Sequence, residues 1–168
     1  DIIRYVEDSR SAVRNSAIDA LGSCRGTLAE EALIRFITTS TDSFEIMSAN
    51  FVLATVGTER VIPYLLLLLD DPTGDVRHSV LNAISELGDD TFLPMFIKGL
   101  EDRSVDVKAY ALLGIAKHGD ESAIQPVIKR LKTILKRKRQ IQSDDGLVAL
   151  RFLNRYRQSD KTIPVLFD

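Results

Sequence analysis

The chain has 168 residues, 45% hydrophobic and 27% charged, with no tryptophan and a single cysteine, Cys24. That length suits one domain with a sizeable core, and the composition excludes a disordered, collagenous or disulfide-stapled chain. The formal charge of −2 divides unevenly: residues 1–120 carry 11 Lys+Arg against 19 Asp+Glu, whereas 121–168 carry 11 against 5. The longest apolar run, Tyr64 to Leu69, falls well short of the roughly 20 residues that cross a bilayer. No secretory pattern opens the sequence, so a cytoplasmic location is expected.

A repeat of about 31 residues organises the chain. Asp8, Asp71 and Asp102 each stand five residues before a valine, Val13, Val76 or Val107, which a basic residue follows directly: Arg14, Arg77 or Lys108. Small or apolar residues recur four, seven and eight positions after the valine. A degenerate copy places Glu45 in the valine position, followed by Ala49, Val52, Leu53 and Val56. A fifth places Asp145 there, followed by Ala149, Phe152, Leu153 and Tyr156, after seven extra residues. The repeats run approximately 8–39, 40–70, 71–101, 102–139 and 140–168.

In chain order, Ile2, Ile3 and Val6 open the sequence in the register of a helix that ends a repeat. Each copy then supplies a first helix whose valine-centred stripe follows the 3.6-residue period. Gly26, Gly57, Gly88 and Gly119 are expected to end these helices in the left-handed cap conformation. Thr27, Thr58, Asp89 and Asp120 follow as candidate caps for a second helix. That second helix carries apolar residues at i, i+1 and i+4: Leu33-Ile34-Ile37, Leu65-Leu66-Leu69, Phe96-Ile97-Leu100 and Val127-Ile128-Leu131. Pro63, Pro94, Pro126 and Pro164 mark its first turn, where a missing N–H costs little. The insertion predicts that the fourth second helix runs about two turns beyond its equivalents, ending near Gln140 to Ser143. Both chain ends cut through a repeat, as in a fragment of a longer array.

The pattern Asp-x4-Val-Arg-x2-Ala-x2-Ala-Leu-Gly, followed by Gly-Asp and a second apolar helix, resembles HEAT repeats. The likeness is to the short bacterial and archaeal kind also found in phycobilin lyases. It covers nearly the whole chain and is strongest in the copies starting near Asp8, Asp71 and Asp102. The resemblance implies an all-α, right-handed α-α superhelix of about five helix pairs, with first helices on the convex side and second helices lining a concave binding surface. The shared residues serve packing and turns, so they specify a fold rather than an activity. The Asp8/Arg14, Asp71/Arg77 and Asp102/Lys108 charges are expected to form a structural ladder between copies.

Residues able to do chemistry are sparse. His78 and His118 occupy different offsets, no His-Glu pair occurs, and nucleotide-binding and nucleophile motifs are missing. The expectation is no catalytic residue, no metal and no cofactor, with Cys24 packed in the core. Paired acids such as Asp70-Asp71 and Asp89-Asp90 read as turn and cap residues.

Surplus apolarity on the second helices carries the functional reading. Tyr64, Leu67, Leu68 and Met95, with Phe92 and Phe36, exceed what one buried stripe needs, and such residues either mark a contact surface or pack neighbouring copies. Arg35, Lys98 and Lys129 share one offset, with Arg130 beside the last. An apolar stripe flanked by cations suits an amphipathic acidic peptide or helix. The expected function is a non-catalytic protein-binding scaffold with a partner site of Arg35, Phe36, Tyr64, Leu67, Leu68, Met95, Lys98, Lys129 and Arg130. The alternatives are polyanion or nucleic-acid binding through Lys136, Arg137, Lys138 and Arg139, or bilin lyase-like chromophore handling. Nucleic acid is disfavoured by the acidic first 120 residues and by aromatics that do not interleave with the basic block.

Overall fold

A computed structural model describes residues 2–24, 26–136 and 144–158. These residues are helical without strands. Two compact units divide the chain, Asp1–Gly88 and Asp89–Asp168.

The first unit opens with a 3-10 turn, Ile3–Glu7, followed by α1 (Ser11–Leu21), α2 (Thr27–Thr39), α3 (Ser43–Val56), α4 (Ile62–Leu66) and α5 (Gly74–Leu87). Helices α1, α3 and α5 are successive first helices, and each packs on the next. The second helices lie on the first helix of the following copy, α2 on α3 and α4 on α5. Burial follows the periodicity: Ala17, Leu21, Ala49, Leu53, Val76, Val80 and Ile84 are all nearly inaccessible. Asn50 Nδ2 donates to Ser79 Oγ at 3.0 Å, a buried polar link between α3 and α5.

The second unit contains α6 (Leu93–Gly99), α7 (Val105–His118), α8 (Ile124–Lys136) and α9 (Asp145–Arg155). Helix α6 packs on α7, α8 on α9, and α7 on α9, repeating the arrangement of the first unit. Phe96 of α6 and Phe152 of α9 are among the largest fully buried side chains, and Val107, Ala111 and Ile115 of α7 are buried with them.

The repeat aspartates act through the backbone. Asp8 accepts from the Arg10 amide, Asp71 from Thr73 and Asp102 from Ser104, while in the degenerate copy Asp42, nearer the helix, accepts from the Phe44 and Glu45 amides. Each satisfies N–H groups that have no partner at a helix start. The expected Asp–Arg ladder is corrected accordingly. Arg14 Nη1 donates to the Asp8 carbonyl at 2.8 Å and Arg77 Nη1 to the Asp71 carbonyl at 2.6 Å. The Asp8 carboxylate instead takes Arg10. Thr58, Asp89 and Asp120 cap the entries to the second helices, whereas α2 begins at Thr27 with Gly26 before it and no side-chain cap.

The glycine breaks occur for a different reason from the one expected. Among the described residues, only Gly26 has positive φ, at 140°. Gly57, Gly88 and Gly119 are extended. A Cβ on Gly57 would lie 2.6 Å from the Leu53 carbonyl oxygen, and one on Gly119 would meet the Ile115 carbonyl and the Phe152 ring. Space, not left-handed backbone, selects glycine at Gly57 and Gly119. In the first copy, helix α1 already stops at Leu21 with Gly22 as its C-cap.

Three further expectations change. Cys24 lies beyond the end of α1 and is exposed. The i+1 position of the second helices is not uniformly buried: Leu66 is 40% exposed because α4 gives way to turns after five residues. Helix α8 is described as far as Lys136, already longer than α4 and α6. Its expected end near Gln140 to Ser143, like Pro164, lies outside the described residues.

Candidate functional site

The second helices set the candidate site, because one offset along them faces solvent in every copy. Counting two residues on from Leu33, Leu65, Phe96 and Val127 reaches Arg35, Leu67, Lys98 and Lys129, all exposed. The next offset turns inward, as a 100° step along a helix requires. It holds Phe36, 5% exposed, Leu68, half-buried, and Arg130, 7% exposed. Of the expected partner-binding residues, Phe36 is therefore packed inward, and Arg130 is buried in an ion pair while also bordering the cleft described below. Neither presents a free side chain, since that side of the helix lies on the following copy.

In the first unit, the apolar candidates gather on α4 and the turn after it. Tyr64 and Leu66 are each 40% exposed and Leu67 is 75% exposed. Pro63 at the helix start and the turns after Leu66 hold these residues on a short, well-anchored element whose inner face is Ile62 and Leu65. Arg35, on α2, lies 3.4 Å from Glu7 with both side chains exposed, a contact of the kind that contributes little.

In the second unit, the cations border a cleft of about 790 Å³. Lys98 of α6, Lys108 of α7, and Lys129, Arg130 and Thr133 of α8 line it, with Pro94, Ile97 and Pro126 as its apolar part. Met95 is half-buried on α6 and is not among the lining residues. Lys129 Nζ reaches Glu101 at 2.9 Å, and this contact holds the Glu101 carboxyl below its usual range. Lys132 and Lys136 continue the exposed basic side of α8 around a smaller cleft with Lys129. Arg137, Lys138 and Arg139, expected to bind polyanions with Lys136, lie outside the described residues.

Two ion pairs with buried acids mark the degenerate copies. Glu45, 2% exposed, accepts from Arg14 Nη2 at 2.8 Å, Arg14 Nε at 3.0 Å and Ser11 Oγ at 2.8 Å. Asp145, 8% exposed, accepts from Arg130 Nη2 at 3.0 Å, while Arg130 Nε is enclosed without a hydrogen-bond partner. Where the repeat's valine is replaced by an acid, the preceding copy supplies an arginine. That complementarity was missed in the sequence, although the two acids at a valine offset were its signal.

Among the described residues there is no group of three or more His, Cys, Asp or Glu side chains placed to hold a metal. His78 and His118 lie against Phe51 and Phe96, ring to ring. Among those residues, no helix is long and apolar enough to cross a membrane.

The fold these helices build is that of an α-solenoid repeat protein. Solved structures of that class align over nearly the whole chain. A designed armadillo repeat protein in complex with the peptide (KR)4 matches at TM-score 0.59 and 18% identity, over 98% of this chain and 86% of that one. A second designed armadillo repeat protein matches at TM-score 0.59 and 16% identity, over 98% and 89%. An engineered protein matches at TM-score 0.57 and 20% identity, over 90% and 76%. No family model matches the chain, and no curated protein does. The HEAT-like reading of the repeat thus stands at the level of fold.

Proposed function

We propose that this chain is a non-catalytic protein-binding scaffold module that holds partner segments against its second helices. The observation that carries this reading is the exposed apolar cluster of Tyr64, Leu66 and Leu67 on a short helix whose other face is firmly buried. Large apolar side chains grouped on a surface gain the free energy of leaving water on docking. The solenoid architecture offers such surfaces repeatedly along the chain. The designed armadillo protein with the peptide (KR)4 supports the reading by showing a repeat protein of similar fold holding a peptide.

The test is selection from a random peptide library on the intact chain and on a Tyr64→Ser/Leu67→Ser variant. The scaffold reading expects enriched sequences with apolar anchors on the parent and their loss on the variant, with helicity by circular dichroism unchanged. Enrichment that is identical on both proteins would remove Tyr64 and Leu67 from the site.

A second reading rests on the exposed Lys129, Lys132 and Lys136 along one side of α8. These favour polyanions through long-range attraction. Retention on a heparin column, compared with a Lys132→Gln/Lys136→Gln variant, tests it. Equal elution of the two proteins would set the reading aside.

A further inference from the structure

The cleft between α6 and α8 differs in chemistry from the apolar cluster on α4 and the turn after it, and it specifies its own ligand. Among the described residues that line it, Lys98, Lys108, Lys129 and Arg130 are cationic and Glu101 is acidic. Lys98 and Lys108 have no ion-pair partner among the described residues, and Lys129 is held only by an exposed contact to Glu101 that an incoming carboxylate can replace. Arg130 stands at the back of the cleft as part of a buried ion pair. It is 7% exposed, bonds Asp145 through one nitrogen, and keeps Nε enclosed with no acceptor. The Asp145 carboxylate answers the Arg130 charge, so the cations that meet an incoming anion are the three lysines, gathered in one concave site.

The apolar part of the lining narrows the choice of anion. Pro94, Ile97 and Pro126 stand beside the lysines, so the ligand that fits must present apolar groups next to its charges. Among the described residues, no aromatic side chain lines the cleft on which a base could stack. A volume near 790 Å³ is in the range of sites that enclose a small ligand or a few residues. We infer that this cleft is a docking site for an acidic peptide segment, with Asp or Glu carboxylates on Lys98, Lys108 and Lys129 and an aliphatic side chain against Ile97 and the two prolines. The inference rests on the scaffold reading for its class of partner but not on the α4 cluster for its site.

A fluorescein-labelled peptide of alternating Glu and Leu, titrated with the full-length chain and followed by anisotropy, tests the inference. Binding should be saturable at low salt and weaken as salt rises. It should fall by about tenfold or more in a Lys98→Glu/Lys129→Glu variant, since reversing charges at a complementary rim penalises the approach as well as the complex. A Lys/Leu peptide of the same length should not bind. The Tyr64→Ser/Leu67→Ser variant should bind the Glu/Leu peptide like the parent, so failure of the α4 surface and failure of this cleft are read separately. Absence of binding at low salt overturns the inference, as does affinity unmoved by the charge reversal. Equal or tighter binding of labelled single-stranded oligodeoxythymidine overturns it in favour of polyanion binding. Both lysines are exposed, and matched circular dichroism spectra establish that the variant is folded.

Discussion

Asp145 and Glu45 occupy the same place in the repeat, yet their removal should have unequal consequences. Restoring the repeat's valine with Glu45→Val strands Arg14, but the Arg14 side chain is 22% exposed and keeps its bonds to the Asp8 and Ser9 carbonyls. The expected cost is roughly 1 kcal/mol, the net worth of the lost hydrogen bonds after water replaces the acid. Asp145→Val strands Arg130, whose side chain is 6% exposed and whose Nε already lacks a partner. An uncompensated buried charge should cost about 3–5 kcal/mol, and replacing the pair together, Arg130→Met with Asp145→Val, should recover most of it. Urea denaturation of the three variants checks the ranking, and equal losses for the two valine substitutions would refute it. Asp8 supplies a pH test. Its carboxyl is lowered from 3.8 to about 2, first through the side-chain hydrogen bond to Arg10 and then through the Arg10 amide. A depressed acid stabilises the fold above its unfolded value and loses that contribution as pH falls through the folded one. The Asp8 pair should therefore persist at pH 4 and be lost towards pH 2. Carboxyl NMR checks this, and a midpoint near 3.8 would mean that the pair does not form in solution.

At the scale of an element, helix-on-helix contact depends on missing atoms as much as on present ones. Gly114 of α7 is buried under the Phe96 ring of α6, so closely that an added Cβ would overlap the ring. Gly114→Ala should destabilise the α6–α7 contact by about 1–3 kcal/mol, the usual cost of overpacking, despite alanine's better helix propensity. Thermal denaturation measures it, and a stabilised variant would show that Phe96 moves aside freely. Much of this level was legible in the sequence. The 31-residue spacing placed each first helix, the prolines placed the starts of α4 and α6, and the cap aspartates and threonines announced most entries. The inward turn at Phe36 and Arg130 was not legible, because the sequence shows which residues share an offset but not how far the next copy's helix reaches around it. Cys24 misled for the opposite reason. Its offset is apolar in other copies, but α1 ends at Leu21, before that position is reached.

For the molecule as a whole, stability in a repeat array is carried by neighbours rather than by one central core. Damage is therefore predicted to remain local. In Asp145→Val, amide hydrogen exchange should accelerate in α8 and α9 and remain near parent rates in α1 to α3, because the Arg130 bond that Asp145 accepts lies within the second unit. Uniform acceleration across all of these helices would mean that the array unfolds only as a single cooperative body. The repeat made this architecture readable before any coordinates, while the candidate site was legible only in part. Lys98 and Lys129 could be named from a shared offset, but the cleft also depends on Lys108 from a first helix, which no second-helix pattern includes.

The arginine that meets Asp145 also bears on how such a chain can be edited. Modules that met only through apolar stripes could be duplicated or exchanged in any order. At the place of Arg130, the earlier copies carry Phe36, Leu68 and Gly99, none of which can answer a carboxylate. The last copy is thus matched to the second helix of the one before it, and behind an earlier copy its aspartate would have to be met, as Glu45 is met by Arg14, from a first helix instead. The order of the copies is written into the molecule as a lock between successive units, beyond the repeat that makes each of them.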